Sequence, residues 1–124
     1  RFDGVLVDAP CSATGTIRKN PEIKWRTSEE AIRGYVALQS ALLHQALELT
    51  ERICIYSTCS LEPEENEDLV SRVLGDHPEF ERFDLASTAS PEVTPWLTDG
   101  WLQLTPDAGT DGFTAFGLRR TRTL

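Results

Sequence analysis

The sequence predicts an α/β fold with an open sheet, and three stretches carry that prediction. Val5-Leu6-Val7 and Ile53-Cys54-Ile55-Tyr56 are short, almost wholly apolar runs rich in β-branched residues, the pattern of strands buried on both faces. Between them lies a long segment with apolar residues at three- and four-residue steps, the pattern of a helix. Strand, helix and strand in that order make a parallel pair joined by a right-handed crossover. Ligands of such sheets bind beyond the carboxyl ends of the strands. Asp8, Cys11 and Cys59 all follow strand ends, so adjacent strands would deliver the three into one crevice.

Taken in order, the first strand is expected over residues 2–8. Pro10 to about Trp25 reads as a loop punctuated by Gly15 and Pro21. Thr27 with Glu30 matches a capping box and starts a helix running to about Leu49. Ala31, Tyr35, Leu38, Leu42, Ala46 and Leu49 would form its apolar face, and Thr50-Glu51-Arg52 would turn the chain into the second strand. Pro63 suits the first turn of another helix, whose positive end Glu64, Glu65, Glu67 and Asp68 would favour. Leu69, Val70, Val73 and Leu74 make its buried stripe, and His77-Pro78 ends it. The acidic run reads as a solvated helix start rather than a metal site, because neither His44 nor His77 is placed to complete one. Residues 79–85 alternate as a more exposed strand, 86–99 are mostly loop, and Trp101 to Leu104 is a short strand. Asp111-Gly112 signals a turn into a last strand from Phe113 to Leu118, expected to lie antiparallel near the sheet edge.

At 124 residues the chain is one domain or part of one, and 40% hydrophobic with 26% charged residues fits a soluble globular chain. No apolar run approaches the about 20 residues of a membrane span, so no membrane association is expected. The opening at Arg1-Phe2, without a methionine, reads as part of something longer. Three cysteines without disulfide-like or CxxC spacing suit a reducing, cytoplasmic setting. The net charge of −8 argues against nucleic acid at first sight, yet 11 acidic and 3 basic residues between Glu48 and Asp84 account for all of it. Outside that window Arg18, Lys24 and their basic neighbours form a local positive cluster, and phosphate follows local charge more than total charge.

Asp8-Ala9-Pro10-Cys11-Ser12-x-x-Gly15, Arg18 to Trp25 (RKNPEIKW), Tyr56-Ser57-Thr58-Cys59-Ser60, Pro63-Glu64-Glu65-Asn66-Glu67 and Gly109-Thr110-Asp111-Gly112-Phe113 occur in that order. Together they resemble the Sun-type family of RNA cytosine-C5 methyltransferases, over nearly the whole chain. The resemblance implies a class I (Rossmann-like) S-adenosylmethionine-dependent methyltransferase fold, of which residues 1–124 are the C-terminal half with a mixed sheet. The family's glycine-rich cofactor loop and RNA-binding N-terminal region would lie upstream. Two positions depart from the family pattern: Thr50-Glu51-Arg52 replaces a glycine pair, and Thr114 stands where a second aromatic usually follows Phe113.

The implied reaction is covalent catalysis. A thiolate adding to C6 of cytosine makes an enamine whose C5 can take the methyl group of S-adenosylmethionine; loss of the C5 proton then lets the thiolate leave. The resemblance assigns Cys59 as nucleophile, Cys11 as the residue aiding product release, and Asp8 as partner of the base. Asp8, Ala9 and Pro10 would bind the cofactor, and Arg18, Lys24 and Phe113 the RNA, most naturally ribosomal RNA. No metal is implied. A free thiol titrates near about 8.5 and is mostly protonated at neutral pH, so the N-terminus of the helix beginning near Pro63 would help by lowering the Cys59 pKa.

Plainer readings stand beside these. A cysteine on a strand is usually core, which is the reading for Cys54. Trp25 and Phe113 serve equally well as core or as base-stacking residues. DNA cytosine-C5 methyltransferases carry their nucleophile in a Pro-Cys pair, so Pro10-Cys11 is the competing attack site. The chain alone is alternatively a noncatalytic fragment or interaction module whose open first strand invites self-association. A thiol hydrolase lacks support, since no histidine lies in any motif.

Overall fold

A computed structural model describes residues 1–14, 28–87, 90–105 and 111–121. The first strand, β1 (Phe2–Asp8), is followed in the chain by helix α1 (Glu29–Leu49), which runs directly into β2 (Thr50–Thr58). A one-turn 3-10 segment (Pro63–Glu65) precedes α2 (Glu67–Gly75), and β3 (Phe80–Phe83) follows. Short β4 (Leu97–Thr98), β5 (Trp101–Leu104) and the long β6 (Phe113–Arg120) complete the sheet. Helix α1 is capped by Ser28, whose hydroxyl accepts from the Ala31 amide at 3.1 Å. The expected cap, Thr27, lies outside the described residues. Thr50-Glu51-Arg52 belongs to β2 itself, and the Thr50 hydroxyl donates to the Ala46 carbonyl at 2.6 Å to close α1.

The sheet runs β1-β2-β6-β5-β4, with β3 also on β6. β1 and β2 are parallel, in register from Gly4–Ile53 to Asp8–Ser57, as expected for a crossover unit. β6 is antiparallel but central, which corrects its expected place near the edge. One of its edges pairs with β2; the other is shared, Phe113–Ala115 against β5 and Gly117–Arg120 against β3. Its five residues from Thr114 to Leu118 are all buried, and both edges of the strand are hydrogen-bonded. Gly117 is required by that packing, because a Cβ there would sit 2.6 Å from the Phe83 ring.

The core joins Cys54, Tyr56, Phe116, Leu118 and Phe80 of the sheet to Leu43, Ala46 and Leu47 of α1 and Leu69, Val70 and Val73 of α2. Cys54 is fully buried, as read from sequence, and the α2 stripe is as expected apart from a half-buried Leu74. The buried stripe of α1 is Gln39, Leu43, Ala46 and Leu47, while Tyr35, Leu38 and Leu49 are exposed. A polar Gln39 within the buried face hid that stripe from a count of apolar residues. β1 departs from expectation too: Val5 and Val7 pack on the core, but Phe2 and Leu6 are 63% and 70% exposed. Among the described residues nothing covers that face of β1 or pairs with its outer edge, so the run is apolar on both sides and buried on one.

Arg120, at the end of β6, reaches back to the end of α1. Its Nη2 and Nε donate to the Thr50 carbonyl at 2.8 and 3.2 Å, and its guanidinium lies 4.6 Å from the Phe80 ring centroid. The last turn of α1 has no basic residue of its own, so this side chain supplies the positive charge that a helix carboxyl end favours. His44 Nδ1 and His77 Nε2 meet at 2.8 Å, with Glu79 on the other ring nitrogen of His77 at 2.9 Å.

Candidate active site

The carboxyl ends of β1 and β2 lie side by side, and the chain beyond each is fixed by hydrogen bonds. The Ala9 amide donates to the Ser57 carbonyl at 2.8 Å, extending the parallel ladder one residue past Asp8. Asp8 is exposed at the strand tip, with Oδ1 accepting from the Ser57 hydroxyl at 3.2 Å. Ala9 is buried and Pro10 exposed, and the Pro10 carbonyl accepts from Gln39 of α1 at 2.7 Å. Ala13 then takes a left-handed backbone with φ 59°, a conformation costing about 1–2 kcal/mol outside glycine. That turn brings the Ala13 amide onto the Cys11 thiol, which is also hydrogen-bonded by the backbone of Cys59. The two motif cysteines are therefore neighbours, both free and both half-buried.

Cys59 sits between two fully buried residues, Thr58 and Ser60. The Thr58 hydroxyl donates to Asn66 Oδ1 at 2.7 Å and accepts from the Ser60 amide at 3.1 Å. The Ser60 carbonyl accepts from Asn66 Nδ2 at 3.0 Å and from the Thr114 hydroxyl at 2.9 Å. Thr114, at the position where the resembled family carries an aromatic, is fully buried and serves as a tie between β6 and the cysteine loop. Phe113 is half-buried one residue beyond the Thr58–Thr114 pair, on the Cys59 side of the sheet. Arg18, Lys24 and Trp25 lie outside the described residues.

Burial raises the Cys59 thiol above its ordinary value, and the carboxylates of Asp8 and Asp111 push it the same way. Burial also raises Cys11; amide hydrogen bonds from Ala13 and Cys59 oppose this, while Glu65 and the Cys59 thiol add to it. The direction is opposite to the lowering expected from the helix after Cys59: a single 3-10 turn follows at Pro63, and α2 starts only at Glu67, eight positions beyond the sulfur. Raised in this way, the Cys59 thiol keeps its proton at neutral pH, with the Asp8 and Asp111 carboxylates close by.

Glu64 and Asp68 of the acidic run are exposed as expected and Glu67 is half-buried, but Glu65 departs from the solvated reading, since it is fully buried. Its carboxylate accepts from the Ser12 amide at 2.8 Å, the Ser12 hydroxyl at 2.7 Å, Gln39 Nε2 at 3.2 Å and the Ser60 hydroxyl. Sequence reasoning missed Glu65, Gln39, Asn66 and Asp111. A signal was present for the first: both cysteines are followed directly by serine, and both serines bind this one carboxylate. Among the described residues no cluster of histidine, cysteine and carboxylate side chains could hold a metal ion.

The sequence profile of the family described as 16S rRNA methyltransferase RsmB/F matches residues 1–119. The probable ribosomal RNA small subunit methyltransferase B of Bacillus subtilis (strain 168) is 33% identical over 124 residues, 97% of this chain and 28% of that protein. The crystal structure of PH0851 superposes with a TM-score of 0.84 at 38% identity, over 95% of this chain and 26% of that one. A methyltransferase homolog protein from Pyrococcus horikoshii gives 0.73 at 33% identity, over 97% and 39%. The mixed sheet with its helices thus has the α/β Rossmann-like fold of S-adenosylmethionine-dependent methyltransferases. The chain spans about a quarter of the length of the curated relative.

Proposed function

This chain belongs to the 16S rRNA methyltransferase RsmB/F family, and from that premise we propose that it carries the two-cysteine centre of an enzyme methylating cytosine C5 in ribosomal RNA. The observation that carries this reading is the meeting of Cys11 and Cys59 beside Asp8 and Asp111, at the carboxyl ends of two parallel strands. Residues 1–124 then form the C-terminal part of a catalytic domain. The uncovered face of β1, with Phe2 and Leu6, is where the remainder packs, and where the isolated chain self-associates.

The family is S-adenosylmethionine-dependent. Asp8, Ala9 and Pro10 fit that donor: an exposed carboxylate at a strand tip, steadied through one oxygen by Ser57, opposes a cationic sulfonium. When bound, the donor supplies an electrophilic methyl group. The chain's own residues do the rest. As the Cys59 sulfur bonds to C6 of the ring, the thiol proton is passed to N3, which leaves an enamine whose C5 is nucleophilic. Asp8 accepts a hydrogen bond from the N4 amine, which holds the ring in place. Once C5 is methylated, its proton passes to solvent, the C6–S bond breaks and the sulfur regains the proton held on N3, with Cys11 next to the departing sulfur to assist. Phe113 borders the ring, and Arg18 and Lys24 contact phosphates.

Adduct mapping tests the reading. The complete catalytic domain is incubated with S-adenosylmethionine and ribosomal RNA carrying 5-fluorocytidine, whose fluorine cannot leave as a proton does. A crosslinked peptide containing Cys59 is expected. An adduct on Cys11 would exchange the two roles, and none on either would end the covalent reading.

A further inference from the structure

We propose that Glu65 is the positioning residue that sets Cys11 and Cys59 against each other, an inference resting on the two-cysteine reading above. The Cys-Ser dipeptide occurs in both motifs, and both serine hydroxyls donate to the same carboxylate oxygen, Oε2. The other oxygen takes the Ser12 amide at 2.8 Å and Gln39 Nε2 at 3.2 Å. Gln39 in turn holds the Pro10 carbonyl, so the residues on both sides of Cys11 are fixed relative to Glu65. The backbone of Glu65 is held as well: its carbonyl accepts the Tyr56 hydroxyl at 2.8 Å from within β2. One buried side chain thus grips the residue after each cysteine, joining loops that are far apart in sequence. A second, weaker tie runs between them from the Leu61 amide to the Thr14 hydroxyl at 3.0 Å.

A carboxylate is costly to bury and is retained where its partners are numerous and well placed. Here those partners are chosen from the two reacting loops rather than from the core around it. The charge also reaches the sulfur, since Glu65 is among the groups that raise the Cys11 thiol. A packing residue would leave that titration alone.

The test uses the complete catalytic domain with Glu65→Gln, which keeps the shape and removes the charge and one acceptor. Two quantities are read: the pH profile of Cys11 alkylation by iodoacetamide, located by mass spectrometry, and the kcat and KM for methyl transfer to ribosomal RNA. The Cys11 profile should move to lower pH, and kcat should fall about 10- to 100-fold with KM for RNA little changed, as for a misplaced reacting group. A folded variant with wild-type kcat, or with an unmoved Cys11 profile, overturns the proposal. Should Glu65→Gln not fold, Ser12→Ala and Ser60→Ala each remove one donor from the carboxylate; wild-type kcat in both would refute it equally. If the unaltered protein transfers no methyl group, the functional reading fails by itself, and the alkylation profile, which needs neither RNA nor donor, still decides on Glu65.

Discussion

Arg119 and Arg120 are adjacent in β6 and point to opposite faces, which makes them a controlled comparison of surface and interior charge. Arg120→Met keeps an unbranched apolar stem and removes the guanidinium. Lost with it are the charge-assisted bonds to the Thr50 carbonyl, about 1.5–3 kcal/mol, the contact with Phe80, about 0.5–1 kcal/mol, and the favourable charge at the end of α1, about 0.3–1 kcal/mol. Against these stands Nη1, buried without a hydrogen-bond partner among the described residues, whose removal returns about 1–3 kcal/mol. The attractive contributions win, for a net loss of about 1–3 kcal/mol. Urea unfolding followed by circular dichroism should show the midpoint falling by about 0.5–2 M at constant slope. Arg119→Met breaks only an exposed pair with Glu81, at 2.7 Å, and should cost below about 1 kcal/mol. Equal midpoints for the two variants, or a stabilised Arg120→Met, would refute the reasoning, because the unpaired Nη1 would then outweigh everything that the side chain gains.

Three further outcomes follow from the site and the core. Asp8→Asn removes a carboxylate that raises Cys59, so iodoacetamide should alkylate Cys59 at lower pH than in the unaltered chain; an unchanged or raised profile would show that Asp8 does not act on the sulfur. Cys54 is raised from 9.0 to about 11 by burial, so above pH 9 the unfolded chain gives up a proton that the fold retains. Stability should therefore fall as pH rises, by about 2–3 kcal/mol between pH 9 and 11 from this thiol. Cys54→Ala should make the decline in urea midpoint shallower, and an equally steep decline would locate the proton elsewhere. Thr114→Phe restores the family's aromatic at a fully buried position and breaks the bond to the Ser60 carbonyl. Overpacking of this kind costs about 1–3 kcal/mol; a melting temperature equal to or above that of the unaltered chain would mean that the position has room.

The parts of the fold legible in the sequence are those where local pattern and tertiary role agree. β1 spans Phe2–Asp8 and β5 spans Trp101–Leu104, both as expected, because each is a short apolar run with turn formers beside it. The α1 face was not legible, since Tyr35 and Leu38 advertise one stripe while the sheet selects Gln39, Leu43 and Leu47. The centrality of β6 was hidden for a different reason: nothing in Phe113–Arg120 announces that both its edges are taken. In the site, motif order and strand ends placed Asp8, Cys11 and Cys59 together. Glu65 is one of a run of four acids with Glu64, Glu67 and Asp68, and it alone of the four is buried, which only a three-dimensional view reveals.

β2, the strand that leads into Cys59, lies between the first strand and the last. β1, α1 and β2 are contiguous in the chain and can assemble as a local unit, whereas β6 must close a loop of more than fifty residues to pair with β2. Synthesis delivers these parts in the same order. Until Thr114 arrives to bind the Ser60 carbonyl, a nascent chain has both thiols but lacks the clasp that shapes the loop around one of them. The shape of the Cys59 loop is thereby tied to the arrival of β6, an element remote from it in sequence.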